Sequence, residues 1–305
     1  MLRWALFAAV SVASIAAVVA LARSDAADPA RCAGLIAMGA RCCAEGQEQR
    51  GDTCVGRPAR CPTPLAVTDL GCVAPVARIV IAGGVLRIGA GDWEAEGRVS
   101  ARVSNVAPFA IDSLEITEGA YAACVAAGRC EKVVSSGEPG RAQGNITRAD
   151  AEAHCAFRGG RLATSDEWAF AAAGAGARRY PWGDTGAVCR RASWGLVEGP
   201  CAFGHTGPEL AGLHPEGATP DQVQDLAGNV GEWIAGTAEE PLGEVRGGSF
   251  AAQLATDLRT WRTVRVPSNT RAPGIGSRCA YDLEPAAEVT GPPAPASSAV
   301  PAASP

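Results

Sequence analysis

Lysine is nearly absent from this 305-residue chain: Lys132 stands alone against 26 arginines, a usage that reads as a high-GC bacterial coding bias. Basic residues number 27 against 32 acidic ones, giving a net charge of −5. A nucleic-acid or anionic-membrane surface needs a basic excess, so no nucleic-acid partner is expected. Histidine is scarce too. His154, His205 and His214 are the only three and lie far apart in sequence, which argues against a His-rich metal centre; each is expected to be a surface or loop residue. Long helical bundles are disfavoured by 37 Gly and 21 Pro, which point to a loop-rich fold.

What the chain does have in quantity is cysteine: twelve, an even number. Residues 2–22 hold one charge, Arg3, before an apolar run from Trp4 that ends in Ala20-Leu21-Ala22. A short positive start, an apolar core and an A-x-A site predict a secretory signal over residues 1–22. The alternative is an uncleaved anchor formed by residues 4–22, since roughly 18 apolar residues can span a bilayer; only then would the chain touch a membrane. Either way the protein is expected to be exported, periplasmic or extracellular and possibly tethered to an inner membrane, where disulfides form. Cys32 follows no small-residue lipobox.

Six cysteines (Cys32, Cys42, Cys43, Cys54, Cys61 and Cys72) crowd into 41 residues with few large apolar side chains. With no C-x-x-C pair and no nearby His, zinc is a poor explanation. Residues 30–75 therefore read as a small disulfide-stapled module whose three bridges replace a core. Their connectivity is open, because six cysteines allow 15 pairings. At the other end, residues 284–305 form a Pro/Ala/Ser-rich run expected to be disordered.

The main domain, residues 76–283, shows short apolar runs between turns. Ile79–Gly89 reads as two strands around a Gly83-Gly84 hairpin, and Phe109–Glu115 as a strand. A helix is predicted from Thr117 to Ala127, closed by Gly128. Thr147-x-x-Asp150 and Thr164-x-x-Glu167 are capping-box patterns, opening helices through Cys155 and Ala173. No long helix is expected beyond Gly176, so the fold class is α+β. Cys124 and Cys130 bracket a helix end and are positioned to close a short loop, while Cys189 and Cys201 are positioned to staple the loop carrying Trp194. Trp168 and Trp182 read as core aromatics.

Six blocks in register resemble the formylglycine-generating enzyme (sulfatase-modifying factor) family. They are Phe109–Thr117 with Tyr121; Asp150–Cys155 leading into Gly159–Trp168; Tyr180–Asp184; Asp225–Trp233; Val245–Phe250; and Gly276–Cys279. The resemblance covers about Arg78 to Leu283. It implies a loop-rich variant of the C-type-lectin-like fold and a Cys155–Cys279 disulfide. Gly231, Ser277 and Ala163 depart from the aromatic residues and the Pro usual in these blocks, marking a divergent member.

The family's enzymes oxidise a peptide cysteine to formylglycine with copper held by two cysteines just after the Arg-Gly-Gly-Ser block. Soft thiolates suit Cu(I). The matching positions here are Ala252 and Asp257, one without a donor and the other a hard oxygen, so copper is not expected and no catalytic residue is assigned. A second branch of the fold uses iron held in an H-x-x-x-H-x-E spacing, which the three histidines lack. The family's calcium site falls on Asp225, Gly228, Val230 and Glu232, two carboxylates and two carbonyls suited to a hard cation in a structural role; the alternative is a metal-free turn with Asn229 and Glu232 hydrogen-bonding backbone amides. At a second family calcium site only Ser193 and Trp194 fall where its ligands begin. The expected function is thus non-catalytic, a binding or assembly module with an extracytoplasmic protein or glycan partner. The alternatives are an oxidase with a rearranged site, or a function vested in the N-terminal module.

Overall fold

The structure, a computed structural model, describes residues 32–283 apart from 33, 39–40, 52, 70, 90–91, 203, 205–206 and 238–239. The expected signal, the expected tail and His205 therefore lie outside the described residues.

The cysteine-rich segment is three antiparallel pairs in succession: β1 (Ile36–Met38) with β2 (Arg41–Cys43), β3 (Glu48–Arg50) with β4 (Thr53–Val55), and β5 (Ala66–Thr68) with β6 (Gly71–Val73). Its cysteines pair in sequence order, Cys32–Cys42, Cys43–Cys54 and Cys61–Cys72. The bridges do not stand in for a core by themselves. Leu35, Ala44 and Leu65 are buried in one cluster with Leu114, Tyr180, Trp194 and Phe250 of the main domain. The backbones touch as well: a Cβ on Gly140 would sit 2.1 Å from the Cys72 carbonyl oxygen. Strands this short cannot bury enough apolar area alone, so the segment takes its core from its neighbour.

The main domain carries two four-stranded sheets. The first has the order β11 (Arg161–Leu162), β16 (Cys279–Tyr281), β10 (Phe109–Asp112), β7 (Arg78–Ile81), all antiparallel. The second has the order β14 (Thr263–Pro267), β13 (Leu242–Arg246), β12 (Gly231–Trp233), β15 (Ile275–Gly276), in which only β12 and β15 run parallel. A separate ladder joins β8 (Gly84–Ile88) to β9 (Arg102–Val106). The expected Gly83-Gly84 hairpin is thus corrected. β7 pairs with β10 while β8 pairs with β9, so the glycines carry the chain from one ladder to the other. A Cβ on Gly83, whose φ is +71°, would lie 2.3 Å from the Val106 carbonyl oxygen, so only glycine fits that crossing.

Among the described residues, three α-helices form where caps fix their starts. Thr117 accepts the Ala120 amide to open α1 (Glu118–Ala126). Reciprocal capping boxes open α2 (Arg148–Phe157) at Thr147/Asp150 and α3 (Ser165–Ala173) at Thr164/Glu167. Every residue of α3 from Trp168 to Ala173 is buried; a run of alanines lets sheet and loops close on the helix from all sides. Gly174, at φ +63°, ends it. Cys155 of α2 is bonded to Cys279 of β16, both fully buried. The expected strand at Phe109–Glu115 stops at Asp112, because the chain turns inward there and Ser113 donates its amide to the Ala77 carbonyl.

Candidate functional site

The Arg-Gly-Gly-Ser block turns the chain out of β13. Gly247 and Gly248 have φ of +93° and +72°. A Cβ on Gly248 would meet the Asp257 carbonyl oxygen at 2.9 Å. Arg246 is a scaffold residue, donating to Glu244, to Ser165 Oγ and to the Thr260 carbonyl. Beyond the glycines lies a cleft of about 350 Å³ walled by Val245, Val264, Val266 and Ile275, with Ser249, Ala252 and Asp257 also on its lining. Ala252 and Asp257, the positions that the resemblance matches to the enzymes' thiols, thus face the cleft. Asp257 is paired with Arg262 at 3.6 Å. Ser249 Oγ accepts the Ala251 amide. All twelve cysteines are in disulfides, the rest being Cys124–Cys130 and Cys189–Cys201, so the folded chain presents no thiolate to a soft metal.

Of the four residues expected around calcium, Asp225, Gly228 and Val230 sit on the loop leading into β12, and Glu232 lies within that strand. That loop is built from left-handed residues: Asp225 at φ +56°, Gly228 at +86° and Asn229 at +52°. A Cβ on Gly228 would lie 2.3 Å from the Ser193 carbonyl oxygen. Glu232 does not turn to a cation site. Arg278 Nε donates to its two oxygens at 2.8 and 2.9 Å, Arg278 Nη2 lies 2.7 Å from Oε1, and Trp168 Nε1 donates to Oε2 at 2.6 Å. Arg278 also donates to the carbonyls of Asp112 and Gln224, at 3.1 and 2.7 Å. A guanidinium therefore gathers a carboxylate and two carbonyls, the kind of oxygen donors a hard cation would take. Asp225 Oδ2 accepts the Gly212 amide at 2.6 Å. As a set, Asp225, Gly228, Val230 and Glu232 do not fit calcium, because Glu232 is already committed.

Sequence reasoning missed the carboxylate beneath this loop. Glu115, fully buried, accepts Asn229 Nδ2 at 2.6 Å and the Val230 amide at 3.0 Å. Burial pushes its carboxyl well up, and the neighbouring charges of Asp225 and Glu232 push the same way. Burial also raises Asp225, against the Gly212 amide, His214 and Arg278. Nearby, Ser193 Oγ donates to Glu209, and His214 Nε2 lies 2.9 Å from the same carboxylate. Burial opposes the charge on His214, but Glu209 overcomes it and raises the imidazole. The expectation of a surface or loop residue is corrected for His154, which is buried on α2 and stacked on Tyr121; His214 does lie in a loop, but it is buried there and held by Glu209. Trp168 is a core residue with its N–H satisfied by Glu232. Trp182 is half-buried, stacked on Tyr180, and donates to the Thr185 carbonyl. Ser277, at an aromatic position of the family, is buried and donates to the Trp233 carbonyl.

A family model for the sulfatase-modifying factor enzyme 1-like domain matches residues 72–283, well over half of the chain. The chain belongs to that family. It is 36% identical over 145 residues to a mouse (Mus musculus) protein named inactive C-alpha-formylglycine-generating enzyme 2, covering 43% of this chain and 46% of that one. The chain thus spans under half the length of that curated relative. Among solved structures, Treponema denticola variable protein 1 superposes with a TM-score of 0.55 at 16% identity, covering 68% of this chain and 95% of that one. PvdO from Pseudomonas aeruginosa does so with a TM-score of 0.55 at 19% identity, covering 68% and 94%. These likenesses define the fold as the formylglycine-generating-enzyme type of α+β architecture, in a divergent member.

Proposed function

We propose that this is an exported, non-catalytic member of the family whose cleft beside β14 binds an extended segment of an extracytoplasmic protein. One observation carries the reading: both lining positions matched to the copper cysteines hold Ala252 and Asp257, while every cysteine of the chain is locked in a disulfide. Six disulfides support a periplasmic or secreted location, since such bonds persist in oxidising compartments. The mouse relative's name, which calls it inactive, points the same way. Protein is favoured over glycan because the cleft is walled by aliphatic side chains and lies beside β14, an edge strand with Val264 exposed. An extended segment adds to such an edge through its backbone and sends alternate side chains into an adjoining pocket.

The test pairs a displayed peptide library with the oxidised full chain. Selected peptides are expected to lose at least ~10-fold in affinity on Val264→Arg with the melting temperature unchanged, because a charge there blocks the edge. Failure to select any binder, or binding indifferent to Val264→Arg, refutes the cleft. The oxidase alternative is decided separately: with copper and a cysteine-containing peptide, oxygen uptake is expected at background, and turnover would restore catalysis.

A further inference from the structure

We propose that opening the Cys124–Cys130 disulfide creates a zinc(II) site whose protein ligands are Cys124, Cys130 and His154. The inference is independent of the cleft, because none of Cys124, Cys130 and His154 lines it. One ligand atom from each of these residues lies within 4.8 Å of the other two. Tetrahedral zinc, with bonds of about 2.3 Å to sulfur and about 2.0 Å to nitrogen, needs its donors roughly 3.5–3.8 Å apart. The two sulfurs need only part from bonding distance, which side-chain rotation at half-buried Cys130 supplies.

The remaining frame does not depend on the disulfide. Cys124 is fixed within α1, and His154 within α2 packed against it. The residues flanking Cys130 are tied on both sides: Arg129 donates its amide to the Cys124 carbonyl, and Tyr121 Oη donates to the Glu131 carbonyl, each at 3.1 Å. His154 supplies the second observation. The residue is 98% buried and its Nδ1 has no hydrogen-bond partner. Buried imidazole nitrogens are ordinarily satisfied, and a metal ion nearby would answer that need. Two thiolates and an imidazole with one open position form a zinc donor set, water completing the coordination.

The step balances. A trialkylphosphine and one water convert the disulfide to two thiols and a phosphine oxide; a dithiol partner protein achieves the same by exchange and leaves as its own disulfide. Zinc then displaces the two thiol protons.

The test uses the full chain, mildly reduced with a trialkylphosphine, the opened pairs being mapped by alkylation and mass spectrometry. Zinc(II) is titrated against a chromophoric chelator, and cobalt(II) serves as the spectroscopic probe. Reduced protein is expected to take up one more zinc per chain than the Cys124→Ala/Cys130→Ala variant reduced in parallel. It should show thiolate-to-cobalt charge-transfer bands. His154→Ala is expected to lower zinc affinity at least ~10-fold. In the unmutated chain, zinc should selectively protect Cys124 and Cys130 from alkylation. Equal uptake by the double variant or by the oxidised protein, or alkylation of this pair unaffected by zinc, overturns the proposal.

Discussion

Replacing Arg278 with methionine is the sharpest perturbation the structure offers. The side chains of Arg278 and Glu232 are each 1% exposed, and the guanidinium is bonded to the carboxylate and to the carbonyls of Asp112 and Gln224. Methionine keeps most of the aliphatic volume but leaves the buried Glu232 carboxyl with a single side-chain donor, Trp168 Nε1. Removing one member of a buried pair costs about 3–5 kcal/mol, mainly because the other charge is stranded. For a domain of this size each kcal/mol is worth about 2–4 °C, so the melting temperature should fall by roughly 6–20 °C. Chemical denaturation of the oxidised protein measures it. The decisive control is Arg278→Met/Glu232→Gln, in which no charge is stranded. It should be more stable than the sum of the single losses by more than ~1 kcal/mol. A loss below ~1 kcal/mol for Arg278→Met, or strict additivity in the cycle, would refute the view that this pair organises the loop.

Because Arg278 occupies Glu232, melting temperatures in excess calcium and in excess chelator should agree within about 2 °C; a larger rise with calcium would restore the ion to the loop. Gly228→Ala should cost at least ~2 kcal/mol, since it combines a left-handed φ with a Cβ 2.3 Å from the Ser193 oxygen; stability close to wild type would show that the loop yields. Glu167 gives a pH signature. Burial works to raise its carboxyl, but paired bonds from Arg161 and the Thr164 amide hold it below the ordinary value. With the folded pKa depressed, the group's contribution is fully present above the unfolded value near 4.5 and is lost as pH falls through the folded one. Glu167→Gln keeps a capping-box residue but loses the ion pair. Wild type should therefore exceed it by about 1 kcal/mol at pH 7, a gap that closes on acidification; a gap independent of pH would remove the ion pair from the account.

Local chemistry made the helices legible. A threonine three residues before an acidic side chain specifies a start whatever packs above it, and the capping boxes at Thr147 and Thr164 mark the starts of α2 and α3. Strand pairing was less legible because it is decided by partners distant in sequence. Two apolar runs flanking Gly83-Gly84 satisfy the hairpin pattern. The ladder instead links Ile79 to Ile111 and Leu86 to Ser104, and nothing local to residues 79–89 distinguishes the two outcomes. The cysteine-rich segment shows the same limit: its content implied stapling, while the buried surface it shares with Leu114, Trp194 and Phe250 belongs to residues far along the chain.

At the site, what could be read was identity at a position, and what could not was the partner of a buried charge. Ala252 and Asp257 announce the loss of a thiolate pair because no arrangement of neighbours gives alanine a donor atom. Glu232 is different. A carboxylate near two carbonyls suits calcium equally well until the position of Arg278, 46 residues later, is known. The Gly-x-Arg-Cys block contains that arginine, yet only the tertiary fold brings it under β12. Glu115 likewise closes the Phe109–Glu115 run, and strand alternation alone would not distinguish it from a solvated end. The chain bends inward at Ser113 and delivers the carboxylate to Asn229 and Val230. Buried cations and carboxylates are thus the part of this molecule that remote contacts decide. The Arg278–Glu232 cycle therefore probes the element of the site that composition and motif spacing leave undetermined.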